Sequence, residues 1–279
     1  MRADRCTLTS RALHMFLNVQ SADIHFTDTG EGTPTLFLHG IPDSGEVWKT
    51  VTELVSTSCR CVVPDLPGFG KSSIPAGFEI TLNSMADFIH GFITALGISE
   101  PVNLVVHDIG GPYGLAWAVR YPASVKHIVI MNTVFQPDYR WHRYGRICRT
   151  PLLGELLQLF TSQSGLAREL RASSGLIKPT REHIAATFSS FTSSVRSMVL
   201  RLYRGLDPQL FADWDEDLRA LAARIPSLVM WGDCDPYIPS AFATRFGARQ
   251  VRHFPECGHW LQVEIPDVVA RDLMEFFSK

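Results

Sequence analysis

The sequence predicts one α/β domain: a mostly parallel sheet flanked by helices, interrupted by a helical cap. Three observations carry this. Short, near-continuous runs of Val, Ile and Leu alternate with amphipathic segments, the pattern of strands buried on both faces. The alternation stops over residues 135–224, where helical segments appear without a convincing buried strand, and then resumes. Of 279 residues, 46% are hydrophobic and 19% charged, which suffices for a sizeable core and argues against global disorder.

Residues 1–15 mix charges with Thr and Ser and read as a loose lead-in. The apolar stretch around Leu13–Leu17 contains His14 and is too short for a signal sequence. Phe16–Val19 and Ile24–Thr27 are short strands, and residues 28–32 form a turn cluster. Thr35–Leu38 is a strand ending at His39-Gly40, and Cys61–Val63 one ending at Pro64-Asp65. Between them Val47, Val51, Leu54 and Val55 recur at helical spacing. Met85, Phe88, Ile89, Phe92, Ile93 and Leu96 line one helical face up to Gly97. Val102–Val106 is a strand, Gly111–Tyr121 a helix stopped by Pro122, and Val125–Met131 a strand. In the insertion the clearest helices are Leu152–Phe160, Arg181–Phe191 and Ser194–Tyr203. Thereafter Ser227–Trp231 and Gln250–Phe254 are strands, and Ser240–Phe246 and Val263–Phe277 helices. The expected organisation is a first core part over 1–134, a cap over 135–224 and a second core part over 225–279.

Lys plus Arg number 26 and Asp plus Glu 28, a net charge of −2, so no overall field draws the chain to nucleic acid or an acidic membrane. No run of about 18 apolar residues is present to span a bilayer. The expectation is a soluble, cytoplasmic protein with no nucleic-acid or membrane partner. The six cysteines, Cys6, Cys59, Cys61, Cys148, Cys234 and Cys257, contain no C-x-x-C pair and are expected as reduced thiols. Arg140, Arg143, Arg146 and Arg149 recur every third residue, the spacing of a solvated basic stripe on a helix.

Three loops after strands carry reactive groups. In Val106-His107-Asp108-Ile109-Gly110-Gly111, small residues permit a sharp strand-to-helix turn that would hold Asp108 above the sheet. The second loop is Gly232-Asp233-Cys234-Asp235-Pro236-Tyr237-Ile238-Pro239. The third is Cys257-Gly258-His259-Trp260. Nucleophile, acid and His follow in that chain order. Cys234 and Cys257 flank these groups and are expected as buried small hydrophobes.

With His39-Gly40-x-Pro42, Asp65-x-Pro67-Gly68-x-Gly70-x-Ser72, Gly232-x-x-Asp235-x-x-x-Pro239 and Gly258-His259 in this order, the chain resembles the α/β-hydrolase superfamily from Ile24 to Phe277. An Asp at the elbow resembles its epoxide hydrolase and haloalkane dehalogenase branch. The resemblance implies an α/β-hydrolase fold and a catalytic set of Asp108, His259 and Asp235, with backbone N–H groups of Ile41 and Ile109 as the oxyanion hole. Asp235 is favoured over Asp233 by the spacing. Some relatives place the acid after the preceding strand, but that position here is Asn132, which cannot supply the charge.

A carboxylate is ionised at neutral pH and attacks without a general base. Attack on an sp³ carbon with an activated leaving group gives an alkyl ester, which water activated by His259 can hydrolyse. Halide departure needs N–H donors, which relatives place where this chain has Ile41 and Ile109; Trp141 and His142 are the alternatives in the cap. Haloacid-cleaving relatives carry two Arg where this chain has Ile109 and Pro112. Epoxide opening needs a proton donor, for which Tyr203 fits the family pattern, with Tyr144 or Tyr139 as its partner. The sequence reading therefore favours an epoxide hydrolase acting on a small apolar substrate and water. Haloalkane dehalogenation, a non-hydrolytic biosynthetic reaction and non-catalytic ligand binding are the alternatives. No metal or organic cofactor is expected, because no ligand cluster or phosphate loop is present. His39 and His107 are expected to hold loops, and Trp231 and Trp260 to pack near the site floor.

Overall fold

The computed structural model describes residues 13–75 and 77–279. Residues 1–12 of the expected lead-in, Cys6 among them, lie outside these. Leu13–Met15 do not belong to a lead-in: they open strand β1 (Leu13–Val19), paired antiparallel with β2 (Ala22–Thr29). The sheet continues through β3 (Pro34–Leu38), β4 (Arg60–Pro64), β5 (Val102–His107), β6 (Val125–Met131), β7 (Ser227–Gly232) and β8 (Gln250–Phe254). The strand order is β1-β2-β4-β3-β5-β6-β7-β8, antiparallel at β1/β2 and β2/β4 and parallel from β4 onward. Every residue of β3, β5 and β7 is buried. Helices cover both faces, so these strands need no polar side and their unbroken apolar runs follow.

The flanking helices are α1 (Lys49–Val55), α2 (Leu82–Ala95) and α3 (Gly110–Arg120). Between β6 and β7 run α4 (Arg143–Arg149), α5 (Leu153–Phe160), α6 (Gln163–Ala172), α7 (Arg181–Ser190), α8 (Ser193–Gly205) and α9 (Ala212–Arg224). The insertion thus holds six helices where sequence periodicity marks three. The expected last helix divides into α10 (Leu261–Glu264) and α11 (Pro266–Phe277). Pro266 has no N–H for an interior helical bond but suits a first helical position, so the break falls just before it. Ser240–Arg245 is a 3₁₀ helix, not an α-helix.

The basic stripe does not form as expected. Arg140 precedes α4, and Arg149 turns inward to donate to the carbonyls of Tyr203 and Leu206 and to Asp207. Cys257 is buried, but Cys234 is exposed, its thiol directed at the Pro255 carbonyl, so the expected burial holds for only one of them. The five described cysteines carry free thiols. Among the described residues no helix is long and apolar enough to cross a membrane.

Candidate active site

Parallel strands deliver their C-terminal ends to one edge of the sheet, and the side chains singled out above meet there. Asp108 follows β5 with φ 49°. That left-handed conformation costs a non-glycine residue about 1–2 kcal/mol. It is held because its neighbours leave no alternative. A Cβ on Gly110 would lie 2.6 Å from the His39 carbonyl oxygen, and one on Gly40 2.6 Å from Asp108 Oδ1. The Asp108 carbonyl oxygen is fixed by Thr133 Oγ1 (2.6 Å) and the Gly111 N–H (2.9 Å). The turn lifts the carboxylate toward the cap, and the Ile41 N–H donates to its Oδ1 at 2.8 Å. The Ile41–Pro42 peptide is cis. Ile109 leads into α3, whose N-terminal end favours negative charge beside it.

His259 lies between two carboxylates. Its Nδ1–H donates to Asp235 Oδ2 at 2.7 Å, and Nε2 faces Asp108 Oδ2 at 3.3 Å. Burial opposes charge on this imidazole, but Asp235 and Asp108 overcome it, and the ring titrates well above its ordinary value. Burial likewise pushes Asp108 up, yet the hydrogen bond and charge of His259 hold it down at about 2. The resting pair is therefore a carboxylate beside an imidazolium. His107 behaves oppositely: burial and the His259 charge lower it to about 3, so it is neutral. Its ring nitrogens meet the His259 carbonyl (2.9 Å) and Gln262 Nε2 (3.0 Å), supporting the His259 loop from below. His39 bridges the Gly40 carbonyl and the Leu66 N–H, tying together two loops as expected.

Asp235 is fully engaged. Oδ1 accepts from the N–H groups of Tyr237 (2.7 Å) and Ile238 (3.2 Å). Oδ2 accepts from His259 and from Asn132 Nδ2 (2.8 Å). Asn132 also pairs with both backbone groups of Gly232. Sequence reasoning considered Asn132 only as an absent acid; the fold makes it a clamp on Asp235. Two further buried carboxylates were missed. Asp43 takes the Trp260 indole N–H (2.8 Å) and Thr187 Oγ1 (3.1 Å), and Glu264 takes the N–H groups of Gly258 and Gly175. Each joins the His259 loop to the cap, and Asp43 does so from the Ile41 loop. Their sequence signal was only proximity to Pro42 and His259.

Over the carboxylate lies a cavity of about 290 Å³, lined from the core by Ile41, Pro42, Asp108, Tyr237, His259 and Trp260. From the insertion come His142, Tyr144, Tyr203 and an apolar group that includes Leu157, Phe160, Leu166, Leu170, Phe191 and Val199. Tyr144 and Tyr203 are neighbours, ring centres 6.0 Å apart. Gln158 Nε2 donates to Tyr144 Oη at 2.9 Å. His142, lowered to about 4 chiefly by burial, is neutral. Its Nδ1 accepts the Gly145 N–H, so its own proton sits on Nε2, facing Tyr203 Oη at 3.4 Å. Each phenol oxygen can accept from such a neighbour, Gln158 for Tyr144 and His142 for Tyr203, which leaves its own proton free to be given. Burial raises both phenol pKa values, so both stay protonated.

Two cap expectations are corrected. Trp141 does not line this cavity. It packs edge-on against Tyr203, 5.0 Å between centres, and borders a separate surface cleft. Tyr139 is buried with its hydroxyl given to the Tyr237 carbonyl, which leaves Tyr144 as the partner of Tyr203.

A profile of the α/β-hydrolase fold matches residues 33–266. A cis-3-alkyl-4-alkyloxetan-2-one decarboxylase of Shewanella oneidensis is 28% identical, covering 95% of this chain and 88% of its own. Epoxide hydrolase 3 of Xenopus tropicalis is 26% identical over 98% of this chain and 80% of its own. The crystal structure of a haloalkane dehalogenase from Bradyrhizobium elkani superposes with a TM-score of 0.81 at 26% identity, covering 96% and 98% of the two chains. The chain belongs to the α/β-hydrolase fold family and is an enzyme of its haloalkane dehalogenase and epoxide hydrolase type.

Proposed function

We propose that this enzyme hydrolyses epoxides through an alkyl ester on Asp108. The observation that carries the reading is the pair of protonated phenols, Tyr144 and Tyr203, in one cavity with an ionised Asp108. An opening epoxide needs a proton at oxygen as the carboxylate attacks carbon, and a phenol supplies it without being ionised beforehand. A departing halide needs N–H donors instead. Positions 41 and 109 carry Ile, Trp141 lies outside the cavity, the Trp260 indole is committed to Asp43, and His142, the one candidate N–H donor that the cap puts in the lining, turns its Nε2 to Tyr203 Oη.

In the first step an Asp108 carboxylate oxygen bonds to an epoxide carbon, the ring C–O bond breaks, and the alkoxide takes a proton from Tyr203 or Tyr144. In the second, His259 takes a proton from water as that water adds to Asp108 Cγ. The oxyanion is held by the Ile41 and Ile109 N–H groups. Collapse expels the diol oxygen, which receives the proton from His259, and Asp235 stabilises the imidazolium throughout.

The second reading rests on the decarboxylase relative. The substrate in that enzyme's name is a strained four-membered lactone, and a carboxylate facing phenol donors also suits opening that ring. Its product would be an alkene and carbon dioxide with no water gained.

The test is the His259→Gln variant incubated with panels of epoxides, alkyl bromides and β-lactones, followed by intact-protein mass spectrometry. An adduct of whole epoxide mass on the Asp108 peptide, absent in Asp108→Asn, is expected. An adduct from bromides alone, or carbon dioxide released from lactones with epoxides untouched, would overturn the epoxide assignment.

A further inference from the structure

We infer that the cap docks on an anionic lipid surface through its helix α5, with the catalytic cavity opening beside the contact. The inference goes beyond the chemistry proposed above and does not depend on it. Along one short stretch Leu152, Leu153, Leu156, Leu159 and Phe160 are 76%, 53%, 50%, 72% and 75% exposed. Scattered exposed leucines are ordinary, but five large apolar side chains on nine consecutive residues form a contiguous patch of the kind that marks an interaction site. The patch is continuous with the cavity, since Phe160 lies in both.

Backbone geometry points the same way. Leu152 holds φ 67°, a conformation in which glycine is the unstrained residue, while its side chain sits in solvent and adds nothing to packing. The fold gains nothing from a leucine there.

Charge selects the partner. The cap, residues 135–224, holds thirteen Lys and Arg against nine Asp and Glu, a net of +4, although the whole chain is −2. Arg143 and Arg146 lie on α4, which packs against α5; both are exposed and, among the described residues, neither forms an ion pair. Arg168 and Arg171 on α6 are likewise exposed and outside the described ion pairs. An apolar face on α5 with exposed cations on α4 and α6, the helices before and after it, fits anionic headgroups, and the acidic remainder of the molecule disfavours other orientations. The expectation of no membrane partner rested on the whole-chain charge of −2 and on the lack of a spanning run; the first averages over the basic cap, and surface docking does not require the second.

The experiment is flotation of the full chain with vesicles of phosphatidylcholine alone and of phosphatidylcholine with phosphatidylserine. The wild type should partition at least about tenfold more strongly onto the anionic vesicles, and lose that preference at high salt. Leu153→Asp combined with Leu156→Asp should abolish flotation while leaving turnover of a small water-soluble epoxide unchanged. Leu152→Gly relieves the backbone and removes one anchor, so it should fold at least as well as the wild type and float several-fold less. A wild type that stays with the bulk solution, or variants that float equally, would overturn the inference. So would light scattering that shows α5 covering a second copy: a dimer in the wild type, a monomer in the variants, and no vesicle binding. Because flotation involves no turnover, a failure here leaves the epoxide reading intact, and the reverse also holds.

Discussion

Asn132→Ala should separate the acid from its support. Asn132 is wholly buried and makes three hydrogen bonds: to Asp235 Oδ2 (2.8 Å), to the Gly232 carbonyl (3.1 Å) and from the Gly232 N–H (2.9 Å). The substitution leaves the Gly232 amide and carbonyl and one side of Asp235 without these partners, where water has little access. One orphaned buried group costs about 1–3 kcal/mol. Because Asp235 keeps its two backbone donors and His259, the total should be about 2–4 kcal/mol. Relief of the positive φ of 32° at Asn132 offsets little of this, since alanine has no better access to that region. For a chain of this length the melting temperature should fall by about 3–7 °C. Turnover should also fall, by about ten- to hundredfold, as Asp235 loses its fixed position. Neutralising the acid itself in Asp235→Asn should cost about 10⁴. Thermal unfolding followed by circular dichroism and steady-state hydrolysis of a small aryl epoxide read the two effects. A variant that melts within about 1 °C of the wild type would refute the bonding argument. One that melts low but turns over normally would show that Asn132 joins strands without positioning the acid.

Tyr203→Phe and Tyr144→Phe should each lower epoxide turnover by about 10²-fold or more, the double variant further, while any residual alkyl bromide turnover is unmoved; equal losses on both substrates would point to packing alone. Gly111→Ala places a Cβ 2.6 Å from Thr133 Cβ and displaces the hydroxyl that fixes the Asp108 carbonyl, so it should destabilise by about 1–3 kcal/mol and cut turnover, read from urea unfolding and initial rates. The raised pKa of His259 means its ion pairs contribute fully below the ordinary histidine value and are lost as pH rises through the folded one. Asp108→Asn removes one of the two raising charges, so the ring should lose its proton at lower pH, a downward move that NMR of the His259 ring can follow; an unchanged titration would mean Asp235 alone sets it.

Much of the core was legible because a parallel sheet writes itself twice: in apolar strands, and in the polar loops that end them. Asp108, Asp235 and His259 each stand in such a loop, and the geometry brings all three within hydrogen-bonding reach or close to it. What escaped was what depends on distant chain segments. Asn132 and Gly232 are a hundred positions apart, and nothing local marks their bond. Tyr144 and Tyr203 likewise lie far apart in the chain and meet because α4 packs against α8. Helices α6 and α9 went unmarked because each buries only three side chains among many polar ones: Leu166, Ala167 and Leu170 in α6, and Leu218, Leu221 and Ala222 in α9. Trp141 had the right chemistry and the wrong side of Tyr203, a distinction of facing that spacing cannot convey when the residue precedes its helix. Pro266 was the one overlooked local signal, and it divides α10 from α11.

The resting site poses an apparent contradiction, since an imidazolium cannot act as the base that the second step requires. The geometry resolves it. Two of the interactions that raise His259, the hydrogen bond and the charge of Asp108, exist only while Asp108 is a carboxylate. Once Asp108 is esterified that charge is gone, burial regains weight, and the imidazole pKa falls. In the proposed mechanism the nucleophile thereby controls its own hydrolysis: the ring is a cation that pairs with Asp108 before attack and becomes a competent base only after the ester exists. The proton it sheds balances the one the tyrosine gave to the opened ring, so the phenol can be restored without an external acid. Asp235, buried and saturated with hydrogen bonds, keeps the ring in place through both states. A serine at position 108 would break this logic, because an uncharged nucleophile needs His259 neutral before the first step and supplies no charge whose loss could switch it.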